Sequence, residues 1–347
     1  MTLQRRPSAD FTVSIFRKIL DLLRPDSGRS LSDLAKWLEL PEQDLRGWLT
    51  GPPNSAYSYR RFTIPKRRGG ERTIDAPSDD LKSLQRRILR KMLSPLPVHP
   101  GATGFVRKRS IVHNARPHAR QGVVINLDLA DFFHTISAER VLGVWRGIGW
   151  NKESARVLTN MCTHEGRLPQ GSPTSPALSN LVCRRLDSRL SALAGRLQTP
   201  LRSTRTGLSN RVAYTRYADD ITLSFERFGI NKRRYKRPAG EAARQIPLTA
   251  RRSVLKMIRE IIEEEGFRIQ MKKRVRIQRA HQRQTATGLV VNAGVRLPRE
   301  VRRRIRAMRH RQRLGQLTPS QERELAGWES LAAMVARQAA SPTAGLT

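Results

Sequence analysis

Two short apolar runs flank the sequence Tyr217-Ala218-Asp219-Asp220. The runs from Val212 to Arg216 and from Ile221 to Phe225 are rich in β-branched and aromatic residues, which predicts two strands. Successive side chains of a strand point to opposite faces, so adjacent aspartates can share a direction only if a tight turn intervenes. A hairpin with its turn at Ala218 and Asp219 would present both carboxylates at its tip.

A third aspartate ends another apolar run. The stretch from Val123 to Leu129 is apolar and β-branched at its start, which predicts a buried strand that ends near Asp128. An acid at this point does not serve core packing. If this strand lies beside the predicted hairpin, Asp128 meets Asp219 and Asp220.

Three carboxylates at one point would repel each other strongly without bound cations. Carboxylate oxygens suit hard divalent cations, so the cluster predicts two Mg²⁺ ions about 3.5–4 Å apart, with Mn²⁺ as a substitute. The carbonyl of Leu129 is a further expected ligand. For Asp219 and Asp220 taken alone, an ordinary solvated turn is the alternative.

The remaining pattern is mainly helical, with a few strands. Gly69 and Gly70 separate two β-rich runs, which predicts a hairpin. Helical spacing of apolar residues predicts a first helix capped by Ser32 and one long helix from about Ser175. The other expected elements are helices at 81–93, 138–148, 152–163, 249–266 and from 298 and 319 onward, and a strand pair at 267–277. The sequence therefore predicts an α+β fold.

The charge balance points to a polyanionic partner. Lys and Arg number 66 against 29 acids in 347 residues, a formal net charge of +37. Nucleic acid is the partner that neutralises such a surplus. Ribosomal or chromatin-like binding without catalysis is the alternative, but an acidic triad would be counterproductive there.

Cysteine usage and hydropathy predict a cytoplasmic protein. Cys162 and Cys183 show no zinc-like spacing, so reduced structural thiols are expected. No apolar run approaches the roughly 18 residues of a membrane span, and no signal peptide is evident. We therefore expect no membrane partner.

Five motifs in order resemble those of reverse transcriptases. The string from Asp128 to Phe133 and Tyr217-Ala218-Asp219-Asp220 are similar to the two catalytic palm motifs. The block from Leu168 to Pro176 resembles the QGxxxSP block of the bacterial branch shared with group II introns. Two further strings resemble the NAxxH and VTG motifs of retron reverse transcriptases, namely Asn114 to His118 and Thr287 to Asn292. Three positions depart from the family pattern: Ala286 for Val, Lys108 for Gly, and Gln270 for Asn.

The resemblance implies a right-hand polymerase fold with fingers, an antiparallel-sheet palm and a small helical thumb. The expected divisions are an N-terminal helical extension at 1–60, fingers and palm at 61–285, a thumb at 286–340 and a tail at 341–347. A helix-turn-helix within the first 60 residues is a DNA-reading alternative. The whole would be an RNA-directed DNA polymerase, with Asp128, Asp219 and Asp220 as catalytic residues and metal ligands.

The resemblance also implies roles for further residues. Those expected to contact the dNTP are Lys66, Arg72, Phe133, Gln170 and Lys273, with the ring of Phe133 excluding a ribose 2′-hydroxyl. Those expected to bind RNA are Asn114, His118, Thr287, Gly288, Arg302, Arg303 and Arg306. The arginines share an arginine-rich helix, which is better explained by a duplex groove than by solvation.

A retron reverse transcriptase implies particular partners. These are a noncoding RNA that serves as template and primer, its DNA product (msDNA, 2′–5′ branched), dNTPs and a separate effector protein in phage defence. Two alternatives stay open: another defence-associated or abortive-infection reverse transcriptase, and a non-catalytic RNA-binding scaffold.

Overall fold

The computed structural model describes residues 28–66, 69–198, 211–226, 248–270 and 275–340, with only the backbone for 248–252. The helices are α1 (Leu31–Leu38), α2 (Glu42–Gly47), α3 (Asp79–Ile88), α4 (Ile111–Ala115), α5 (Phe132–Thr135), α6 (Ala138–Gly147), α7 (Lys152–Cys162), α8 (Ser175–Val182), α9 (Arg184–Leu197), α10 (Leu248–Glu264), α11 (Arg299–Arg313) and α12 (Pro319–Ala340). The strands are β1 (Tyr59–Pro65), β2 (Glu71–Pro77), β3 (Val123–Asp128), β4 (Val212–Tyr217), β5 (Asp220–Phe225), β6 (Arg276–Arg279), β7 (Thr285–Ala286) and β8 (Leu289–Val290).

The chain divides into two compact units. The first comprises Met1–Pro97 and Phe133–Val182, and the second comprises Val98–Phe132 and Cys183–Thr347. Both units contain helices and antiparallel strands, so the predicted α+β class is confirmed. This division does not follow the predicted subdomain boundaries, which remain a prediction.

The first unit joins a helical layer to a two-stranded antiparallel ribbon. β1 pairs with β2 over seven residues, from Tyr59 opposite Pro77 to Pro65 opposite Glu71. Helix α1 begins after Ser30, whose hydroxyl accepts from the backbone N–H of Asp33 while the Asp33 carboxylate accepts from the Ser30 N–H. The predicted cap at Ser32 is therefore wrong, because the reciprocal capping box needs an acid three residues after the cap.

A four-stranded antiparallel sheet forms the centre of the second unit. Its strand order is β4-β5-β3-β6. β3 lies inside the sheet, and its first five residues are buried, which explains the continuous apolar run of its sequence. Helix α9 packs on β4 and α10 packs on α9.

A second apolar cluster lies in the same unit, around the short hairpin β7–β8. Ala286 and Leu289 of the hairpin pack with Ile305 and Met308 of α11 and with residues of α12 and α4. The apolar stripe of α11 is narrow because the other positions of the helix are mostly charged. Burial of this stripe fixes which side of α11 faces away from the cluster.

Two predicted elements differ from the structure. The single long helix from Ser175 is broken into α8 and α9 at Cys183, where ψ is 0°. Within the predicted strand pair at 267–277, β6 begins at Arg276, and among the described residues before it Ile269 makes an isolated bridge to Leu129. Among the described residues, no helix combines the length and apolarity needed to cross a membrane.

Candidate active site

The antiparallel register sets two of the three predicted aspartates opposite each other. Asp128, the last residue of β3, faces Asp220, the first residue of β5. Directly opposed residues project from the same face of a sheet with Cβ atoms about 4.5–5.5 Å apart. The convergence that the sequence predicted for this pair is therefore present in the backbone.

Asp219 lies in the turn between β4 and β5. Tyr217 pairs with Asp220, so Ala218 and Asp219 form a two-residue hairpin loop, as predicted. The N–H of Leu129 donates to the carbonyl oxygen of Asp219 at 3.0 Å. One backbone hydrogen bond thus ties the turn to the residue that follows Asp128.

The chain beyond Asp128 is also held on its other side. The Asp128 carbonyl accepts from the N–H of Gln270 at 2.7 Å, and the N–H of Ala130 donates to Arg268 at 2.8 Å. Asp131 then adopts a left-handed φ of 44°, which turns the chain out of the sheet. Asp131 is exposed.

The turn itself is strained and closely packed. Ala218 has a φ of 56°, a conformation that costs a residue with a Cβ roughly 1–2 kcal/mol. Gly104 lies directly against it: a Cβ added to Gly104 would lie 2.7 Å from the backbone nitrogen of Ala218 and 3.1 Å from Tyr217 Cα. A glycine is therefore needed at this position for the turn to keep its place.

The donor set fits a hard divalent cation, since it offers carboxylate oxygens and backbone carbonyls. The side chains nevertheless stand apart: in the described parts of the chain, no three His, Cys, Asp or Glu residues form a group that could hold a metal ion. The backbone register fixes the Cα positions of Asp128 and Asp220, whereas their side chains can still rotate about χ1 and χ2.

Comparison with known proteins bears directly on this site. A family model described as reverse transcriptase (RNA-dependent DNA polymerase) matches residues 64–287, more than half of the chain and all three aspartates. The chain belongs to the reverse transcriptase family.

Relatives within this family include several retron enzymes. The chain is 37% identical to the retron Mx162 reverse transcriptase of Myxococcus xanthus over 321 residues, which is 85% of this chain and 61% of that protein. It is 38% identical to the retron Ec86 reverse transcriptase of Escherichia coli over 198 residues, 56% of this chain and 57% of that protein. The resemblance to retron reverse transcriptases is confirmed, although the chain spans only about three fifths of the length of these relatives.

The first unit carries four of the predicted dNTP-contacting residues. Lys66 and Arg72 are exposed on the β1–β2 ribbon. Phe133 and Gln170 are half-buried, whereas the neighbouring Phe132 is buried in the second unit and stacks on Phe267. The predicted dNTP contacts remain a prediction, and Lys273 lies outside the described residues.

The loop that bears Gln170 is held rigidly within the first unit. The Gln170 carbonyl accepts from the N–H of Asp75 at 2.9 Å. Gly171 has a φ of 143°, and a Cβ there would lie 2.5 Å from the Asp75 carbonyl oxygen. The Ser172 hydroxyl donates to Gln85 at 2.8 Å, so both sides of Gly171 are fixed.

Two of the predicted RNA-binding residues, Asn114 and His118, are buried in the protein, and their contact with RNA stays a prediction. The Asn114 oxygen accepts from the Thr103 hydroxyl at 2.6 Å, and both ring nitrogens of His118 share hydrogen bonds of 2.7 Å, with Ser224 and Thr215. Neither Asn114 nor His118 has exposed surface. These residues fix the segment around α4 to the sheet, a role that a motif cannot distinguish from ligand contact.

The other predicted RNA-binding residues lie where a ligand can reach them. Thr287 and Gly288, with φ of 45° and 80°, form the two-residue turn of hairpin β7–β8, and Gly288 is exposed. Arg302, Arg303 and Arg306 are all exposed on α11. Their contact with RNA remains a prediction.

Sequence reasoning missed three residues close to the turn. These are Gly104, which packs against the turn, and Asp187 and Arg216, which form a buried ion pair. A signal was present, because Asp187 stands among the inward-facing leucines of α9 and Arg216 lies within an apolar strand. A charge at a buried position needs a partner, and these two provide it for each other.

Replacing Gly104 with alanine tests the packing of the turn. The added Cβ meets backbone rather than a movable side chain, so we expect a loss of about 1–3 kcal/mol in the free energy of unfolding, measured with urea. Gly195→Ala on α9 is the control, because a Cβ there meets nothing within 4 Å and should be neutral or slightly stabilising. Equal stability of the Gly104 variant and the native chain would contradict the tight contact.

Because His118 is buried, we expect the folded protein to lose stability in acid. Burial lowers the pKa of His118 from 6.5 to about 3, so between these values the unfolded chain binds a proton that the native state does not. The contribution of His118 to stability is therefore fully present above pH 6.5. It falls as the pH drops, by up to about 1.4 kcal/mol per pH unit. We therefore expect the free energy of unfolding, measured with urea between pH 5 and 6.5, to depend less steeply on pH in His118→Gln than in the native chain.

The exposed His281 supplies the control for this measurement. The free energy of unfolding of His281→Gln should depend on pH as steeply as that of the native chain. If the free energy of unfolding of His118→Gln depends on pH as steeply as that of the native chain, the buried ring does not stay neutral.

Proposed function

We propose that this protein is an RNA-directed DNA polymerase of a retron, which copies a dedicated noncoding RNA into a short DNA. The observation that carries the proposal is the register of β3 and β5, which sets Asp128 opposite Asp220, with Asp219 in the adjoining turn. The family match and the names of the retron relatives support the same function.

In this proposal the sheet β4-β5-β3-β6 is the palm, the β1–β2 ribbon belongs to the fingers, and α11 with α12 forms the thumb. The boundaries stay as expected from the sequence, with fingers and palm at 61–285 and the thumb at 286–340.

Asp128, Asp219 and Asp220 would hold two Mg²⁺ ions, or Mn²⁺ in their place, with help from the carbonyl of Leu129. When bound, such ions lower the pKa of a primer hydroxyl and stabilise the charge of the reacting phosphates. The protein itself contributes the rigid backbone of the turn and of the β3 end, which keeps the carboxylates on one face.

Positive side chains of the first unit would bind the substrate. Lys66 and Arg72 lie exposed on a two-stranded ribbon and have no acidic partner within the described ranges, so they are available to the triphosphate of a dNTP. Gln170 would contact the template or nucleotide, Lys273 the nucleotide, and Phe133 would exclude the ribose 2′-hydroxyl.

Helix α11 separates its arginines into two groups. Arg304 and Arg309 pair with Glu324 and Glu329 of α12, and these ion pairs flank the buried stripe. Arg302 and Arg306 lie one turn apart, and Arg303 is next to Arg302 in the sequence; all three are exposed away from the buried stripe and have no acidic partner in the described part of the chain. This second group would follow the phosphates of a template–product duplex.

The partners follow from the proposed function. They are a noncoding RNA that provides template and primer, dNTPs, a DNA product joined to RNA through a 2′–5′ branch (msDNA), and a separate effector in phage defence. A cytoplasmic location suits such partners.

Co-expression with the cognate RNA tests the polymerase proposal. With labelled dNTPs, we expect a discrete DNA that stays linked to RNA after denaturation. Asp219→Asn with Asp220→Asn should lower the rate at least about a thousandfold, roughly 4 kcal/mol of transition-state stabilisation. Asp131→Asn is the control, because asparagine also accepts a left-handed φ and the residue lies outside the proposed cluster.

Each alternative has its own outcome in this assay. Retained synthesis in the double variant would refute the assigned site. An unlinked homopolymer or a protein-primed DNA would favour another defence-associated reverse transcriptase. RNA binding with no synthesis would favour a scaffold.

The two groups of arginines on α11 give a matched test of duplex binding. Arg302→Gln with Arg306→Gln should reduce the slope of log K against log salt by about 0.9 for each lost phosphate contact. The double variant Arg304→Gln/Arg309→Gln removes the same amount of charge, but these two arginines are already paired with acids. The slope of log K against log salt should therefore change less for this variant. Equal changes in the two variants, measured by fluorescence anisotropy with an RNA–DNA duplex, would contradict the assignment.

A further inference from the structure

A buried polar network lies beside the YADD turn in the second unit. The Arg216 guanidinium donates through Nε to Asp187 Oδ1 and through Nη2 to Oδ2, both at 2.7 Å, and neither side chain is exposed. The Tyr214 hydroxyl donates to Asp187 Oδ1 at 2.6 Å. Burial, followed by the charge of Asp187, raises the pKa of Tyr214 well above its usual value, which keeps this donor protonated.

Stability alone is a weak explanation for this network. Removal of two charges from water costs several kcal/mol for each ion, and apolar residues of similar volume often stabilise a core as well or better. A position on α9 between Leu186 and Leu190 would accept an apolar side chain. The charges therefore call for a role other than stabilisation.

The guanidinium also reaches the turn itself. Arg216 Nη1 donates to the carbonyl oxygen of Ala218 at 3.1 Å. That carbonyl belongs to the peptide that joins Ala218 to Asp219, and Ala218 has the strained φ of 56°. A hydrogen bond from a charged donor that Asp187 holds in place offsets part of the strain and fixes the direction of this peptide.

Arg216 is in turn anchored on several sides. Its N–H donates to Gly101 at 2.8 Å, and its carbonyl accepts from the N–H of Thr103 at 2.8 Å, so the residue is tied to the loop that contains Gly104. Its guanidinium carbon lies 5.9 Å from the centroid of the Phe132 ring, four residues after Asp128. The side chain thus touches both segments that bear the carboxylates.

We propose that Arg216, held by Asp187, is a positioning residue that orients the Ala218–Asp219 peptide so that Asp219 and Asp220 meet Asp128 around the metal ions. This inference rests on the proposed function. Arg216 acts through the turn and does not touch substrate or metal.

An apolar replacement of the whole network separates positioning from stability. The variant Asp187→Leu/Tyr214→Phe/Arg216→Met removes every polar group of the network with little change of volume, so the urea midpoint should stay close to that of the native chain. We expect the dissociation constant for Mn²⁺, measured by electron paramagnetic resonance without substrate, to rise at least tenfold. The single-turnover rate should fall at least a hundredfold, with the KM for template–primer unchanged.

Two single variants complete the test. Tyr214→Phe leaves both bonds between Arg216 and Asp187 in place and should keep native Mn²⁺ affinity and rate. Arg216→Lys keeps the charge but lacks the planar fork, which cannot be reproduced by a single ammonium, so it should show the weakened affinity even where the triple variant does not fold.

The outcomes separate the two levels of the argument. A native protein that binds no Mn²⁺ overturns the proposed function and this inference with it. A native protein that binds Mn²⁺, with equal affinity and rate in the folded triple variant or in Arg216→Lys, overturns the inference alone. An equal loss in Tyr214→Phe would also overturn it, because the bond to Ala218 is intact there.

Discussion

The candidate active site depends on one constraint, the antiparallel pairing of β3 with β5. This register puts Asp128 opposite Asp220 and places Asp219 in a two-residue turn. A slip of one residue would send one of the two aspartates to the other face of the sheet. Six consecutive pairs, from Val123 opposite Phe225 to Asp128 opposite Asp220, hold this register.

The acidic residues of the candidate site contrast with the basic composition of the chain. The chain carries a formal net charge of +37, and the backbone at the sheet end is held by hydrogen bonds to the carbonyl oxygens of Asp128 and Asp219. The guanidinium of Arg216 reaches the turn, and Asp187 neutralises its charge. In the proposed function, the acidic centre would bind divalent cations, while the exposed arginines of α11 would bind nucleic acid.

Local sequence patterns were enough to predict the elements that depend only on neighbouring residues in the chain. The hairpin at Ala218 and Asp219 and the buried strand ending at Asp128 followed from alternation and turn chemistry. Other features depend on tertiary contacts that no local pattern contains: the break at Cys183, the burial of His118 and the pairing of Asp187 with Arg216. For Asn114 and His118, the motif indicates that the residue matters but not whether it contacts a ligand or packs in the core, where the structure places both.

The central claim is that three aspartates, distant in sequence, bind metal ions together. A crystal structure of the protein with Mn²⁺ and a non-reactive dNTP analogue, phased on the anomalous signal of manganese, tests it most directly. We expect anomalous peaks within coordination distance of Asp128 and of Asp219 or Asp220, next to the triphosphate. Peaks bound elsewhere, with the analogue ordered and these carboxylates unligated, would contradict the account.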